Sequence, residues 1–547
     1  MKAVADGHRY KIFVDAFHAN ALRPLRNLPN FRLNKKCWSC DRTMSSYYML
    51  VDMKIPVEDP DCDQFSVVPL VMPELRTKPW QHQIDGFKFF ADTPGALLGY
   101  DMGTGKSLIA VAAAEAMYNA NDHNDTAVLI VCPKAVLPVW LHQFQTHSKL
   151  CPSDNFAMIT LNDGTTTKKA EALDRFFARN HKTKSLQVVV VNYESYWRGD
   201  LGDTLTQKTV KRKTVDRRWD LVILDESHKI KSASGKASKF AHKLSFHASR
   251  KLCLTGTPMP HSPADVFGQM RFLDSSVFGT AFFGFRQRFF VTHPKFPSKI
   301  IRTKNEDTFN ALLKEWLLRV DSDEVLDLPD IVETFVPIDM SKSARKHYDD
   351  IEQELTTMVG DGTITVSNAL GKLIKMRQIT SGFIMNEDKL PMFIDDNKLK
   401  ALEELLDDIN DKEPVVIFTY FQEELRAVQQ LVSKTNRSFY AISGQHHDYE
   451  KLRALPDKSG TVCCVQVQSG SAGIDLSHAA YCIYFSLTYS LGDYLQSRKR
   501  VHRPGQTRTT RYYHLTCTNT LDQVIYKSLM DKEHVVDGIL SELKRHA

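Results

Sequence analysis

Three groups of side chains in this sequence are suited to act on a phosphate ester. The first is Gly103, Thr104, Gly105, Lys106 and Ser107, which follow an apolar segment (Ala96 to Leu98) and open a helical pattern from Leu108 to Met117. Backbone N–H groups of such a turn, with the helix N-terminus behind them, cradle phosphate oxygens, and Lys106 supplies a mobile positive charge. The Ser107 hydroxyl is a ligand type for Mg2+. The generic pattern asks for glycine where Tyr100 stands, so a glycine-rich turn before a buried helix stays open as the plainer reading. The second group, Asp225 and Glu226, ends the apolar run Leu221 to Leu224. Ligands gather at the carboxyl ends of strands in open α/β sheets, where Asp225 would hold Mg2+ and Glu226 would orient and deprotonate an attacking water. A lone pair of acids is more often a solvated strand end, and only the partnership with Lys106 tells against that. The third group, Gln496, Arg500 and Arg503, falls in a helical pattern with the arginines three apart, on one face. Such arginines stabilise charge in a phosphoryl-transfer transition state; a basic, solvated helix face, with Arg498 and Lys499 alongside, is the alternative. Thr255 and Thr257, in a strand-end turn closed by Pro258, carry hydroxyls placed to link the acids to a neighbouring groove, although the turn alone is common.

Positioning these groups takes more than one core. A chain of 547 residues is too long for a single compact core, so two or three domains are expected. Apolar content of 42% with 25% charge fits a folded globular protein and excludes the disordered and collagenous classes. The net charge of +6 permits nucleic-acid binding without requiring it. No apolar run approaches bilayer length, and the N-terminus lacks the tripartite secretory pattern. Ten cysteines are scattered, several within strand-like runs, which suits reduced thiols. A cytoplasmic, monomeric protein with no membrane partner is expected. Short β-branched runs, Ala127 to Val131, Gln187 to Val191, Leu221 to Leu224 and Leu252 to Leu254, alternate with helical patterns and predict a buried parallel sheet. A second series follows at Val415 to Phe418, Thr461 to Val467 and Ala480 to Phe485. Between them, Ala281 to Phe290 and Met340 to Leu355 read as helical. The expected fold is α/β, with two parallel-sheet lobes (71–280 and 395–530), a helical insertion (281–394), a small N-terminal α+β domain (1–70) and a C-terminal helix (531–547).

The ordered blocks resemble the Swi/Snf-type branch of superfamily-two helicases, over roughly residues 75 to 530. Pro79 to Gly86 (PWQHQIDG) looks like the adenine-reading segment, with Gln81 as its glutamine. GYDMGTGKS is similar to motif I, where this branch also commonly lacks the first glycine. Val128 to Phe144 resembles motif Ia, Val188 to Ser195 motif Ib, Asp225 to His228 (DESH) motif II and Leu254 to Asp274 motif III. Ser469 to Ala479 resembles motif V, with Asp475 where Asn is common. Gln496 to Leu515 resembles motif VI, and its HRPGQ is the most branch-specific string in the chain.

The resemblance implies two RecA-like lobes that bind ATP and Mg2+ between them and grip a duplex along the opposite edge. It implies nucleotide contacts from Gln81, Gly103, Thr104, Gly105, Lys106, Ser107, Gly473 and Asp475, and nucleic-acid contacts from Lys134, Asn192, Thr257, Ser469, Gly470 and Ser471. His228, Thr255 and Gln496 would couple the two, and Arg500 and Arg503 would arrive with lobe closure. The expected activity is ATP-driven translocation on double-stranded or branched DNA, with fork regression, branch migration, annealing or displacement of bound protein as outcomes. Rival readings are a strand-separating helicase on DNA or RNA and a non-catalytic DNA-binding scaffold; intact Lys106, Asp225, Glu226, Arg500 and Arg503 oppose the latter. The basic segment Lys208 to Arg218 serves equally as a DNA contact or a solvated loop. The N-terminal unit, ending near Trp38, resembles the small module of annealing helicases; for Cys37, Cys40 and Cys62, strand thiols are favoured over a zinc site, which needs four ligands.

Overall fold

The computed structural model describes residues 2–6, 9–13, 32–33, 38–41, 50, 55–58, 70–181, 183–210, 213–260, 262–292, 300–360, 366–386, 388, 390–446, 448–468, 474–488, 490–523, 525–526 and 529. Two compact units divide the chain, one ending at Val325 and the next beginning at Leu326. In the first, β1 (Lys2–Asp6), β2 (Arg9–Phe13), β3 (Arg32–Leu33), β4 (Trp38–Asp41) and β5 (Val57–Glu58) form a small sheet, antiparallel except where β5 joins β1. Cys40 is buried there and in no disulfide, whereas Cys37 and Cys62 lie outside the described residues.

The larger strands of this unit are β6 (Gly95–Tyr100), β7 (Thr126–Cys132), β8 (Phe156–Leu161), β9 (Leu186–Asn192), the hairpin β10 (Gln207–Val210) and β11 (Lys213–Asp216), β12 (Trp219–Asp225), β13 (Ala248–Leu254), the hairpin β14 (Phe290–Thr292) and β15 (Ile300–Thr303), and β16 (Leu317–Val320). The main sheet runs β16-β6-β13-β12-β7-β9-β8 with every neighbouring pair parallel. Val188 to Val191 and Leu221 to Leu224 are fully buried. Side chains on both faces of these strands meet helices, so the sequence shows unbroken apolar runs instead of alternation. Register then fixes the site: Leu98 faces Leu254, Leu254 faces Asp225, and Cys132 faces Asn192, so the carboxyl ends of five strands share one rim.

The second unit contains β17 (Ile331–Ile338), the hairpin β18 (Phe383–Met385) and β19 (Pro391–Phe393), β20 (Val415–Thr419), β21 (Ser438–Ile442), β22 (Thr461–Gln466), β23 (Tyr481–Tyr484) and β24 (Thr510–Cys517). Its sheet runs β17-β24-β23-β20-β22-β21, again wholly parallel. The α/β class with two parallel sheets is therefore as expected. The segment 281–394 is not a separate helical insertion. Its helices exist at Phe282–Phe289 and Lys342–Gly360, but β16 completes the first sheet and β17 the second. An edge strand supplied by a connecting segment carries half-polar residues (Leu-Leu-Arg-Val; Ile-Val-Glu-Thr), which hides it from a search for apolar runs. Among the described residues, no helix is long and apolar enough to cross a membrane.

Candidate active site

The phosphate loop is built by β6, a turn and the helix Lys106–Ala120. Gly103 and Gly105 adopt left-handed φ values of 86° and 79°, a backbone conformation that a Cβ disfavours. The loop is held from below by the helix Gln81–Ala91. Gln83, 4% exposed, accepts from the Trp80 N–H at 2.9 Å and donates to the Thr104 carbonyl at 3.1 Å; the His82 Nε2 meets the same carbonyl at 2.8 Å. Tyr100, fully buried, donates to the His82 carbonyl at 2.6 Å. A Cβ on Gly86 would lie 2.4 Å from that hydroxyl. The missing first glycine thus reflects a tyrosine strut between strand and helix, with Gly86 leaving it room.

The Lys106 ammonium donates to the Tyr100 and Asp101 carbonyls at 2.6 and 3.1 Å, folded over its own loop. Asp225 ends β12 beside it. Burial pushes the Asp225 carboxyl well up from the ordinary aspartate range; Glu226 adds to this and Lys106 opposes it. A carboxylate so disfavoured by desolvation is suited to a divalent cation, and the Ser107 hydroxyl is a second hard oxygen donor on this loop. These residues therefore fit Mg2+.

Glu226 occupies left-handed backbone (φ 52°, ψ 51°), a conformation a non-glycine residue keeps only where its surroundings impose it. Its carboxylate lies 3.3 Å from the His228 Nδ1, and the same nitrogen is 3.0 Å from the Thr255 hydroxyl. The Thr255 oxygen in turn accepts from the Thr257 N–H at 3.1 Å. Ser227 donates to Gln269 at 2.7 Å, and Gln269 donates to the Pro258 carbonyl at 2.7 Å, tying the acid turn to the threonine turn a second time.

In the second unit the helix Leu491–Val501 carries Gln496 (9% exposed) and Arg500 (4% exposed). Arg503 lies past the helix end, so the two arginines do not share one helical face. It donates to the Ile474 carbonyl at 3.4 Å, and its Nε is 3.7 Å from an Asp475 oxygen. Asp475 also accepts from the Ser477 N–H and hydroxyl at 3.0 and 2.7 Å. Its carboxylate therefore caps a turn and lies beside Arg503. Arg498 is not solvated: it pairs with Glu333 at 2.7 Å and lies between Tyr494 and Tyr512.

The SNF2-related domain description matches residues 35–385, and that of the helicase conserved C-terminal domain matches 397–505. This chain belongs to the SNF2-related family. Among curated relatives, the CHD3-type chromatin-remodeling factor CHR7 of Arabidopsis thaliana is 25% identical over 84% of the chain and 37% of its own length. The DNA annealing helicase and endonuclease ZRANB3 of Mus musculus is 23% identical over 90% of the chain and 44% of its own length. The putative protein p41 of Acyrthosiphon pisum secondary endosymbiont phage 1 is 25% identical over 87% of the chain and 100% of its length. The chain thus spans less than half of the length of the first two. A solved SWI2/SNF2 ATPase core of Sulfolobus solfataricus in complex with dsDNA covers 87% of the chain and 95% of its own, at 21% identity and a TM-score of 0.40.

Within this SNF2-related chain, the structure gathers Gly103 to Ser107, Asp225, Glu226, His228, Thr255 and Thr257 on one rim. Gln81 is not part of it: exposed, it donates to Asp85 at 2.9 Å one helical turn on, while Gln83 takes the loop. Two glutamines two apart cannot both face the loop, and burial of Gln83 decides between them. Lys134 is exposed at the start of a 3-10 turn beyond β7. Asn192 is 5% exposed and spent internally, donating to Glu194 at 2.8 Å and accepting from Ser195, so it is not a direct nucleic-acid contact. Ser469, Gly470, Ser471 and Gly473 lie outside the described residues. Of the basic segment, Arg217 is structural: it pairs with Asp174 at 2.5 Å over the Phe177 ring.

Proposed function

We propose that this SNF2-related chain is an ATP-driven translocase on double-stranded DNA. The observation that carries the reading is the line of polar groups from Glu226, 3.3 Å from the His228 imidazole, through the Thr255 hydroxyl to the Thr257 N–H. It joins the proposed water-activating carboxylate to the neighbouring strand end, where an altered carboxylate position can be passed along the rim. ATP is the substrate, and Mg2+ would be held by Asp225 and Ser107 and would neutralise phosphate charge. Lys106 exchanges its two loop carbonyls for phosphate oxygens. Gln83, and not Gln81, fixes the loop that receives them. Arg500 and Arg503, presented by the second unit, would stabilise transition-state charge when the units close, so that turnover reports a conformational cycle. Chromatin-remodelling and annealing-helicase relatives support duplex or branched DNA as the track, gripped through its backbone without reading sequence.

A third strand bound in the major groove of a duplex provides the test. Translocation predicts ATP-dependent release of that strand with no unwinding of a plain forked duplex. Unwinding of the fork without release of the third strand would favour a strand-separating helicase.

A further inference from the structure

The rim that bears Asp225 continues past β12 to β7, β9 and β8, the half of the sheet away from the phosphate loop. Three strand ends deliver polar groups here. Lys134 stands two residues beyond β7, Ser195 three beyond β9, and Asp163 two beyond β8. Lys169, on the helix Thr166–Arg179 that returns from β8, reaches into the same place. It is 6% exposed, and among the described residues its ammonium has one hydrogen-bond partner, the neutral Ser195 hydroxyl at 3.4 Å. Ser195 spends its own hydrogen on the Asn192 oxygen, which leaves its lone pairs turned to Lys169. Glu194, the nearest carboxylate in sequence, accepts instead from the Asn192 amide at 2.8 Å.

A buried ammonium without an ion-paired carboxylate is costly, and buried charges are ordinarily paired. Burial pulls the Lys169 ammonium below the usual lysine range; exposed Asp163 opposes that, and Lys134 adds to it. Two cations thus sense each other at a rim where no carboxylate is ion-paired to either among the described residues. An anion between them relieves both the repulsion and the desolvation. The partner of that chemistry on a translocase is a phosphodiester.

We propose that Lys169, steadied by the Ser195 hydroxyl that accepts from it, and Lys134 together seat one backbone phosphate of duplex DNA, and that Asn192 acts only by orienting Ser195. This rests on the reading of the chain as a duplex-binding motor. It assigns a contact to a helix that the motif pattern leaves out.

The test is the salt dependence of binding to a short fluorescent duplex, for the full chain and for Lys169→Met, Lys169→Gln and Lys169→Arg. Each phosphate neutralised contributes about 0.9 to the slope of log affinity against log salt concentration. Lys169→Met and Lys169→Gln should each flatten that slope by up to about 0.9, less whatever neutralisation Lys134 retains, and Lys169→Arg should keep it. Thermal melting identifies which neutral variant remains folded, and either one suffices. An unchanged slope in a folded neutral variant, with the parent chain still binding in a salt-dependent way, overturns the phosphate seat and leaves the motor reading standing. A parent chain with no affinity for duplex overturns both. A slope lost in Lys169→Arg as well as in the neutral variants also counts against the seat, because packing and not charge would then be responsible.

Discussion

Gly105→Ala probes whether Gln83 is what holds the phosphate loop. A Cβ at position 105 would lie 2.0 Å from the Gln83 Nε2, so the amide must leave. The added methyl in left-handed backbone costs roughly 1–2 kcal/mol. Expelling Gln83 forfeits two hydrogen bonds, to Trp80 and Thr104, at about 1 kcal/mol each. Gly105→Ala alone should therefore cost about 3–4 kcal/mol, and Gln83→Ala alone about 2 kcal/mol. In the double variant the hydrogen bonds are lost only once, so it should cost about 3–4 kcal/mol, some 2 kcal/mol less than the sum of the singles. The chain's 6 tryptophans, the last of them Trp316, all precede Leu326, so tryptophan emission during urea unfolding reports the first unit alone. Additivity of the two substitutions within about 0.5 kcal/mol would refute the seating of Gln83 against Gly105.

Glu226→Gln should bind nucleotide and duplex yet not turn over; retained hydrolysis removes Glu226 from the base role. Lys398→Met should destabilise the second unit by about 3–5 kcal/mol, because it strands Asp522, which pairs with Lys398 at 2.8 Å with both side chains under 10% exposed. Lys398→Met with Asp522→Leu should recover most of that, read by circular dichroism, and no recovery contradicts the account. The second unit should also weaken in acid. Burial holds the fully buried His514 imidazole down to about 4, from an ordinary 6.5, with Arg498 adding to the effect. Between those values the unfolded chain takes up a proton that the folded one refuses, so stability falls as pH falls through that window. Linkage gives about 2 kcal/mol lost between about pH 7.5 and pH 5. His514→Phe should remove that part of the pH dependence, and an unchanged dependence would show that His514 is protonated while folded.

Central parallel strands were legible because burial on both faces writes itself as unbroken runs, Val188 to Val191 above all. The edge strands β16 and β17 were not, since one side of an edge is wet and its residues mix. Lys106 and the Asp225–Glu226 pair stood out because few arrangements put a lysine after one apolar strand and two acids after another. Choosing Gln83 over Gln81 needed helix phase relative to the loop, which spacing from Pro79 does not give. The Tyr100 strut onto His82, with Gly86 leaving it room, was equally hidden: it is a contact across 18 residues that shows in the sequence only as a missing glycine. Arg217 looked like one of a basic cluster, and only its Asp174 and Phe177 neighbours show that it serves the fold.

Steady-state ATP hydrolysis with and without saturating duplex, in the parent chain and in Arg503→Ala, decides whether the chain is a duplex-driven motor. Turnover should rise on adding duplex and fall by about a thousandfold when the arginine is removed. Turnover indifferent to duplex in the parent chain would contradict the motor reading.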